Sequence, residues 1–194
     1  LKSYKLVGIP LFHTAEDWCG RDIYRRMLSS CDAVVANTEF EAEFARGRDA
    51  RNVQAVGVGI HPDDFEKRDG RAVREAYHIG HHTVVGFVGR PTANKGITTV
   101  IAAMRQVWKT NSDVRLLIAG PAPPSSAPDV LRLHELTNLE RSRVIRICDF
   151  ADADKASIFD ALDLFVLPSV GESFGIAYLE AWMCGKPVIG ARIG

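Results

Sequence analysis

Short runs of Val, Ile and Leu alternate with helical patterns along the second half of this chain, and that alternation limits the fold more than any other feature. TVVGFVG (83–89) reads as a strand, KGITTVIAAMRQVW (95–108) as an amphipathic helix and VRLLIAG (114–120) as the next strand. The Pro-rich turn PAPPSSAP follows, then a helix over DVLRLHELTNL (129–139), a strand at VIRIC (144–148) and a helix at DADKASIFDAL (152–162). LFVLPS is a strand, FGIAYLEAWMC (174–184) a helix closed by Gly185, and PVIG a short last strand. Apolar strands of this kind, separated by helices of about 10 to 15 residues, predict a parallel sheet covered on both faces.

The first 60 residues follow a looser version of the same grammar. KLVGIPLF is a strand, EDWCGRDIYRRMLSSC (16–31) a helix and AVVAN (33–37) a strand. Thr38 is placed to cap EFEAEFARG, and NVQAVGVG closes the segment. Two or three βα units are too few for a well-buried independent domain. Residues 1–60 are therefore expected to be the later part of an N-terminal Rossmann-like domain. The polar stretch 61–82 is expected to connect it to a truncated C-terminal domain, 83–194. A start at Leu1 and a stop just after PVIGARIG give the expectation of a piece of a longer protein.

Charge excludes some partners. With 24 basic and 24 acidic residues the formal net charge is zero, so no electrostatic footprint suggests nucleic acid or an anionic membrane surface. Cys19, Cys31, Cys148 and Cys184 show neither a CxxC pair nor metal-ligand spacing, which fits small core residues in a reducing cytoplasm. No signal peptide is visible, and no apolar run reaches the ~18 residues of a membrane span.

Two constellations carry chemistry. In GRPTANKG, Gly89 and Arg90 end a strand while Lys95 and Gly96 open a helix. Ligands of open α/β sheets bind beyond the carboxyl ends of strands, and an Arg fork with a Lys charge there would hold a diphosphate and stabilise it as a leaving group. Two solvated surface cations are the plainer alternative. In GESFG (171–175), unsatisfied helix N–H groups favour anions or polar oxygens, Ser173 is placed to cap the helix, and Gly175 lets a ligand approach the backbone. Glu172 lies just outside that helix, and Glu180, its lone carboxylate, lies about 12 Å further along it.

Burying an unpaired carboxylate is expensive, so Glu180 is expected to meet donors from a polyhydroxylated ligand. One acid would accept from a sugar and the other from a ribose. The alternative has Glu172 compensating the helix dipole and Glu180 pairing with an Arg of a neighbouring element. His13 begins a βα loop, where a histidine is more often structural than a substrate contact. His81 and His82 read as solvated, and Trp18, Trp108 and Trp182 as packing residues.

VGRPTANKG, LLIAG, LFVLPSVGESFGIAYLEAWMCGKPVIG and AVVANTEFEAEFA together resemble the group 1 glycosyltransferases, a retaining nucleotide-sugar family of the GT-B fold. The resemblance covers most of the chain and is most specific over 164–190. It implies two Rossmann-like domains facing a cleft, with the donor held mainly by the C-terminal one. It further implies that Arg90 and Lys95 contact the donor diphosphate, with Gly89 beside them. Glu172, Ser173, Phe174 and Gly175 would engage sugar and phosphate, Glu180 the ribose, and His13 the donor sugar from the other domain. PAPPSSAP and the CDF at 148–150 depart from segments that carry glycine in the family.

The expected reaction moves a sugar from a nucleoside diphosphate sugar to the hydroxyl of a saccharide, lipid or small-molecule acceptor, with retained anomeric configuration. Catalysis would fall to Arg90, Lys95, Glu172 and His13. No metal and no other cofactor is expected, because two cations meet the phosphates and no acidic cluster is visible. Peripheral membrane association through other regions of the protein is left open. A non-catalytic nucleotide-sugar-binding module remains an alternative, as does a sugar-nucleotide epimerase or phosphorylase on the same fold.

Overall fold

In the computed structural model, residues 4–11, 21–122, 129–172 and 174–192 are described. Contacts divide the chain into two compact units, Leu1–Gly59 with Gly171–Gly175, and Ile60–Val170 with Ile176–Gly194.

The first unit holds a parallel three-stranded sheet in the order β1 (Val7–Gly8), β2 (Ala33–Ala36), β3 (Val53–Ala55). Helix α1 (Asp22–Ser30) follows β1, and α2 (Glu39–Arg46) follows β2. Thr38 caps α2 as its sequence position suggests: its hydroxyl accepts from the Glu41 N–H at 3.1 Å. Glu41 in turn accepts from the Asn37 N–H at 2.8 Å, which fastens the first turn of α2 to the residue before its cap. A small core of Tyr24, Leu28, Cys31, Val34 and Ala45 lies beneath. KLVGIPLF contributes only two residues to the ladder, with Val7 opposite Ala33 and Gly8 opposite Val34.

The second unit is a parallel five-stranded sheet in the order β6-β5-β4-β7-β8. Its strands are β4 (Thr83–Val88), β5 (Val114–Ala119), β6 (Val144–Ile147), β7 (Leu164–Leu167) and β8 (Val188–Gly190). Central β4 and β5 are buried almost throughout, which is why they read as continuous apolar runs. Helices α4 (Ile97–Thr110), α5 (Asn138–Arg141), α6 (Lys155–Asp160) and α7 (Ile176–Met183) fall between the strands. Phe159 and Phe165 meet edge to face with centroids 5.3 Å apart, and Phe165 meets Tyr178 at 6.0 Å. The Tyr178 hydroxyl donates to the Leu167 carbonyl at 2.5 Å, tying α7 to the end of β7.

Several local expectations are corrected. DVLRLHELTNL is not one helix. Asp129 accepts from the Arg132 N–H, Arg132 turns left-handed at φ 45°, and a 3-10 turn spans Leu133–Glu135. A capping box at Thr137 and Glu140 then starts α5 afresh. The polar stretch 61–82 contains a 3-10 turn (Pro62–Phe65) and α3 (Gly70–Ala76), and buries Phe65 and Ile79 in the second unit's core. Asp160 binds the Gly70 N–H at 2.9 Å, and Arg74 donates to Asp163 at 2.7 Å. His82 is not merely solvated: its ring lies between Asp113 and Arg115, the latter at 2.8 Å. Trp108 is a packing residue with its indole N–H on the Val114 carbonyl, but Trp182 is exposed, and Trp18 lies outside the described residues.

Candidate functional site

The strand order places a topological switch point between β4 and β7. From β4 the chain moves outward through β5 to β6, then returns to the other side of β4 for β7 and β8. Crevices at such points, beyond the carboxyl ends of the strands, are where open α/β sheets take ligands. Gly89 and Arg90 leave β4 at that end, and Pro168 to Glu172 leave β7. Strands β4 and β7 are parallel and paired at Val85–Leu164 and Gly86–Phe165, so both loops emerge on the same edge.

The two loops are fastened to each other. The Asn94 carbonyl accepts both the Val170 N–H at 2.9 Å and the Ser169 hydroxyl at 3.1 Å. Gly96, at φ 75°, ends the 3-10 turn Ala93–Lys95 and starts α4. A Cβ at this position would lie 2.2 Å from the Pro168 carbonyl oxygen, so only glycine permits the approach. Gly89 and Gly120 meet comparably at the ends of β4 and β5, where a Cβ on Gly120 would lie 2.0 Å from the Gly89 carbonyl oxygen.

Arg90 is exposed, and its guanidinium has no hydrogen-bond or ion-pair partner among the described residues. Lys95 is half-buried on the same loop. Beyond β7, Glu172 and Phe174 are half-buried and Gly175 is buried at φ 81°, immediately before α7. By their contacts these residues group with the first unit. His13 and Ser173 lie outside the described residues.

Glu180 is buried in α7, but the expectation that it lacks a protein partner is corrected. Lys155, the first residue of α6, donates its ammonium to Glu180 Oε1 at 2.5 Å. A lysine supplies the pairing, not the arginine considered from sequence. Lys155 was missed because it lies far from Glu180 along the chain, yet a signal was present. A cation in the first turn of a helix opposes the macrodipole and calls for an acid nearby. Ser169 and Gly96 were likewise given no part in joining the two loops.

Comparison with known proteins identifies the family. The model for Glycosyl transferases group 1 matches residues 82–194. This chain belongs to the group 1 glycosyltransferases. Among curated relatives, the D-inositol 3-phosphate glycosyltransferase of Segniliparus rotundus is 31% identical over 211 residues, covering 97% of this chain and 47% of that protein. The enzyme of the same name from Mycobacterium tuberculosis strain H37Ra is 32% identical over 177 residues, covering 88% of this chain and 36% of that protein. The chain thus spans less than half the length of these two relatives.

Solved structures agree on the fold. Anabaena HepE in complex with UDP and glucose superposes with a TM-score of 0.80 at 22% identity, covering 98% of this chain and 53% of that one. Sucrose-phosphate synthase from Thermosynechococcus elongatus gives 0.78 at 23%, covering 97% and 50%. At these identities the likeness carries the fold alone, α/β of the GT-B type with parallel sheets flanked by helices. Among the described residues, no helix is long and apolar enough to cross a membrane.

Proposed function

We propose that the intact protein transfers a sugar from a nucleoside diphosphate sugar to an acceptor hydroxyl, with retention at the anomeric carbon. The observation that carries this reading is the Arg90–Lys95 loop at the switch point, fixed to the end of β7 through the Asn94 carbonyl. Two cations on a loop whose backbone is already pinned need little reorganisation to meet a diphosphate. They would stabilise its departing charge more in the transition state than in the ground state. The glycosyltransferases among its relatives, and the UDP bound to Anabaena HepE, support a nucleotide-sugar donor.

In this reading the residues from 83 onward bind the donor and residues 1–60 serve the acceptor side. Arg90 and Lys95 hold the diphosphate, Glu172 with the Ser173–Gly175 backbone meets sugar and phosphate, Glu180 accepts from ribose hydroxyls, and His13 reaches the sugar. The bond from the anomeric carbon to the diphosphate oxygen breaks as the acceptor oxygen bonds on the same face. The acceptor's proton passes to the departing phosphate, so no enzyme nucleophile is needed. The charges of Arg90 and Lys95 would serve without a bridging metal. A cytoplasmic location fits the free thiols of Cys31, Cys148 and Cys184.

The test is turnover by the intact protein against a panel of nucleotide sugars and acceptors, with the anomer of the product read by NMR. Arg90→Ala and Lys95→Ala should each slow transfer about 10²-fold or more, and chelation should leave the rate unchanged. Saturable donor binding without acceptor-dependent release of nucleoside diphosphate would favour a binding module instead. An inverted product would refute retention.

A further inference from the structure

Lys155 begins α6, directly after the 3-10 turn Asp152–Asp154, and among the described residues its ammonium makes no hydrogen bond on its own helix. What it meets lies on another element, the carboxylate of Glu180 in the middle of α7. The side chains are unequally shielded, 33% exposed for Lys155 and 10% for Glu180. The contact between them, at 2.5 Å, is a charge-assisted hydrogen bond.

Among the described residues, one carboxylate oxygen of Glu180 is used. Glu180 Oε1 takes the ammonium, and Oε2 has no hydrogen-bond partner among the described residues. The helices that carry the pair are joined without it. The Cys184 thiol contacts the Ala156 carbonyl at 3.6 Å, Ala156, Ala181 and Cys184 are all buried, and Lys186 donates to the Asp160 carbonyl at 2.7 Å. The ion pair is therefore not the sole tie between α6 and α7. An ammonium on one oxygen restricts the rotation of the carboxylate and leaves the other oxygen as an acceptor. It also offsets a negative charge that would otherwise repel an approaching diphosphate.

We infer that Lys155 is a positioning residue for the donor: it holds Glu180 oriented so that the second oxygen accepts from a ribose hydroxyl, while its own charge offsets the repulsion between that acid and the diphosphate. This rests on the reading of Glu180 given above. Affinity for a nucleoside diphosphate should then depend on Lys155 in proportion to the hydroxyls the ligand carries, which a merely structural lysine would not produce.

The experiment titrates the intact protein with UDP, GDP and ADP, and then the tightest of the three in its 2′-deoxy and 3′-deoxy forms. Wild type should bind the ribose form about tenfold or more tighter than at least one deoxy form. Lys155→Met should weaken the ribose form about tenfold and bring that ratio to within about twofold, and Lys155→Arg should restore it. If Lys155→Met does not fold, Lys155→Gln, which retains a donor without charge, replaces it and should also reduce the ratio. A ratio that collapses in Glu180→Gln but persists in Lys155→Met overturns this inference and leaves the reading of Glu180 intact. A ratio untouched by Glu180→Gln, or no binding of any of the three diphosphates, refutes the ribose assignment and this inference with it.

Discussion

Replacing Gly96 by alanine should damage donor binding and stability together, because two separate costs fall on one atom. The backbone there is left-handed at φ 75°, which costs a non-glycine residue about 1–2 kcal/mol. The added methyl would also lie 2.2 Å from the Pro168 carbonyl oxygen and 2.8 Å from its carbon, backbone atoms that cannot swing aside. Overpacking of this kind costs about 1–3 kcal/mol, for a total of about 2–5 kcal/mol. Gly80→Ala is the matched control, since Gly80 is also left-handed at φ 63° but has no atom within 4 Å of the added Cβ.

The difference between the two variants in urea unfolding should therefore be about 1–3 kcal/mol, read at unchanged m-value. Relief of the clash requires the Arg90–Lys95 loop to move by about 1 Å relative to β7, a misplacement worth up to about 10²-fold in kcat/KM for the donor. Equal stability of the two variants, or a Gly96→Ala protein with wild-type donor KM, would refute the argument that close approach at Pro168 places the Arg90–Lys95 loop.

The Thr137–Glu140 capping box makes acid sensitivity predictable. The Thr137 N–H, and then the Arg105 guanidinium, hold the Glu140 carboxyl below its ordinary 4.5. Stability from this lowering is fully present above that ordinary value and is lost as pH falls through the lower native one. Between about pH 6 and about pH 3, Glu140→Gln should lose less Tm than wild type; an equal loss would refute the assignment. Thiol labelling should separate the cysteines. Cys148 is exposed, whereas burial pushes the Cys184 thiol up and removes it from solvent. Alkylation followed by mass spectrometry should mark Cys148 well before Cys184, and the reverse order would contradict the packing of α7 on α6.

Much of the strand and helix architecture was legible because its signals are local. The runs TVVGFV and VRLLIA became paired central strands, and the helix read at 95–108 appears at Ile97–Thr110. Thr38 capped the helix it was expected to cap. What escaped depends on contacts far apart in sequence or on single dihedrals. Arg132 at φ 45° splits a stretch whose apolar spacing alone suits a helix. Phe65 and Ile79 are isolated apolar residues in a polar segment, and only the tertiary fold shows that α3 docks on α6 through Gly70 and Asp160. At the candidate site, the chemistry of cations after a strand singled out Arg90 and Lys95, and both lie on the loop that follows β4. The pairing of Lys155 with Glu180 was not singled out, because nothing local to Glu180 specifies where its counter-charge comes from.

The double acceptance at the Asn94 carbonyl bears on how this protein could be re-engineered. Because the turn after β4 and the turn after β7 share that oxygen and interlock at Gly96 and Pro168, they form a single module made of two distant pieces of chain. Grafting either turn alone from a homologue would leave a mismatched seam, whereas exchanging both as a matched set would carry the geometry across intact. Libraries that alter this module should therefore vary residues 90–96 and 168–172 jointly.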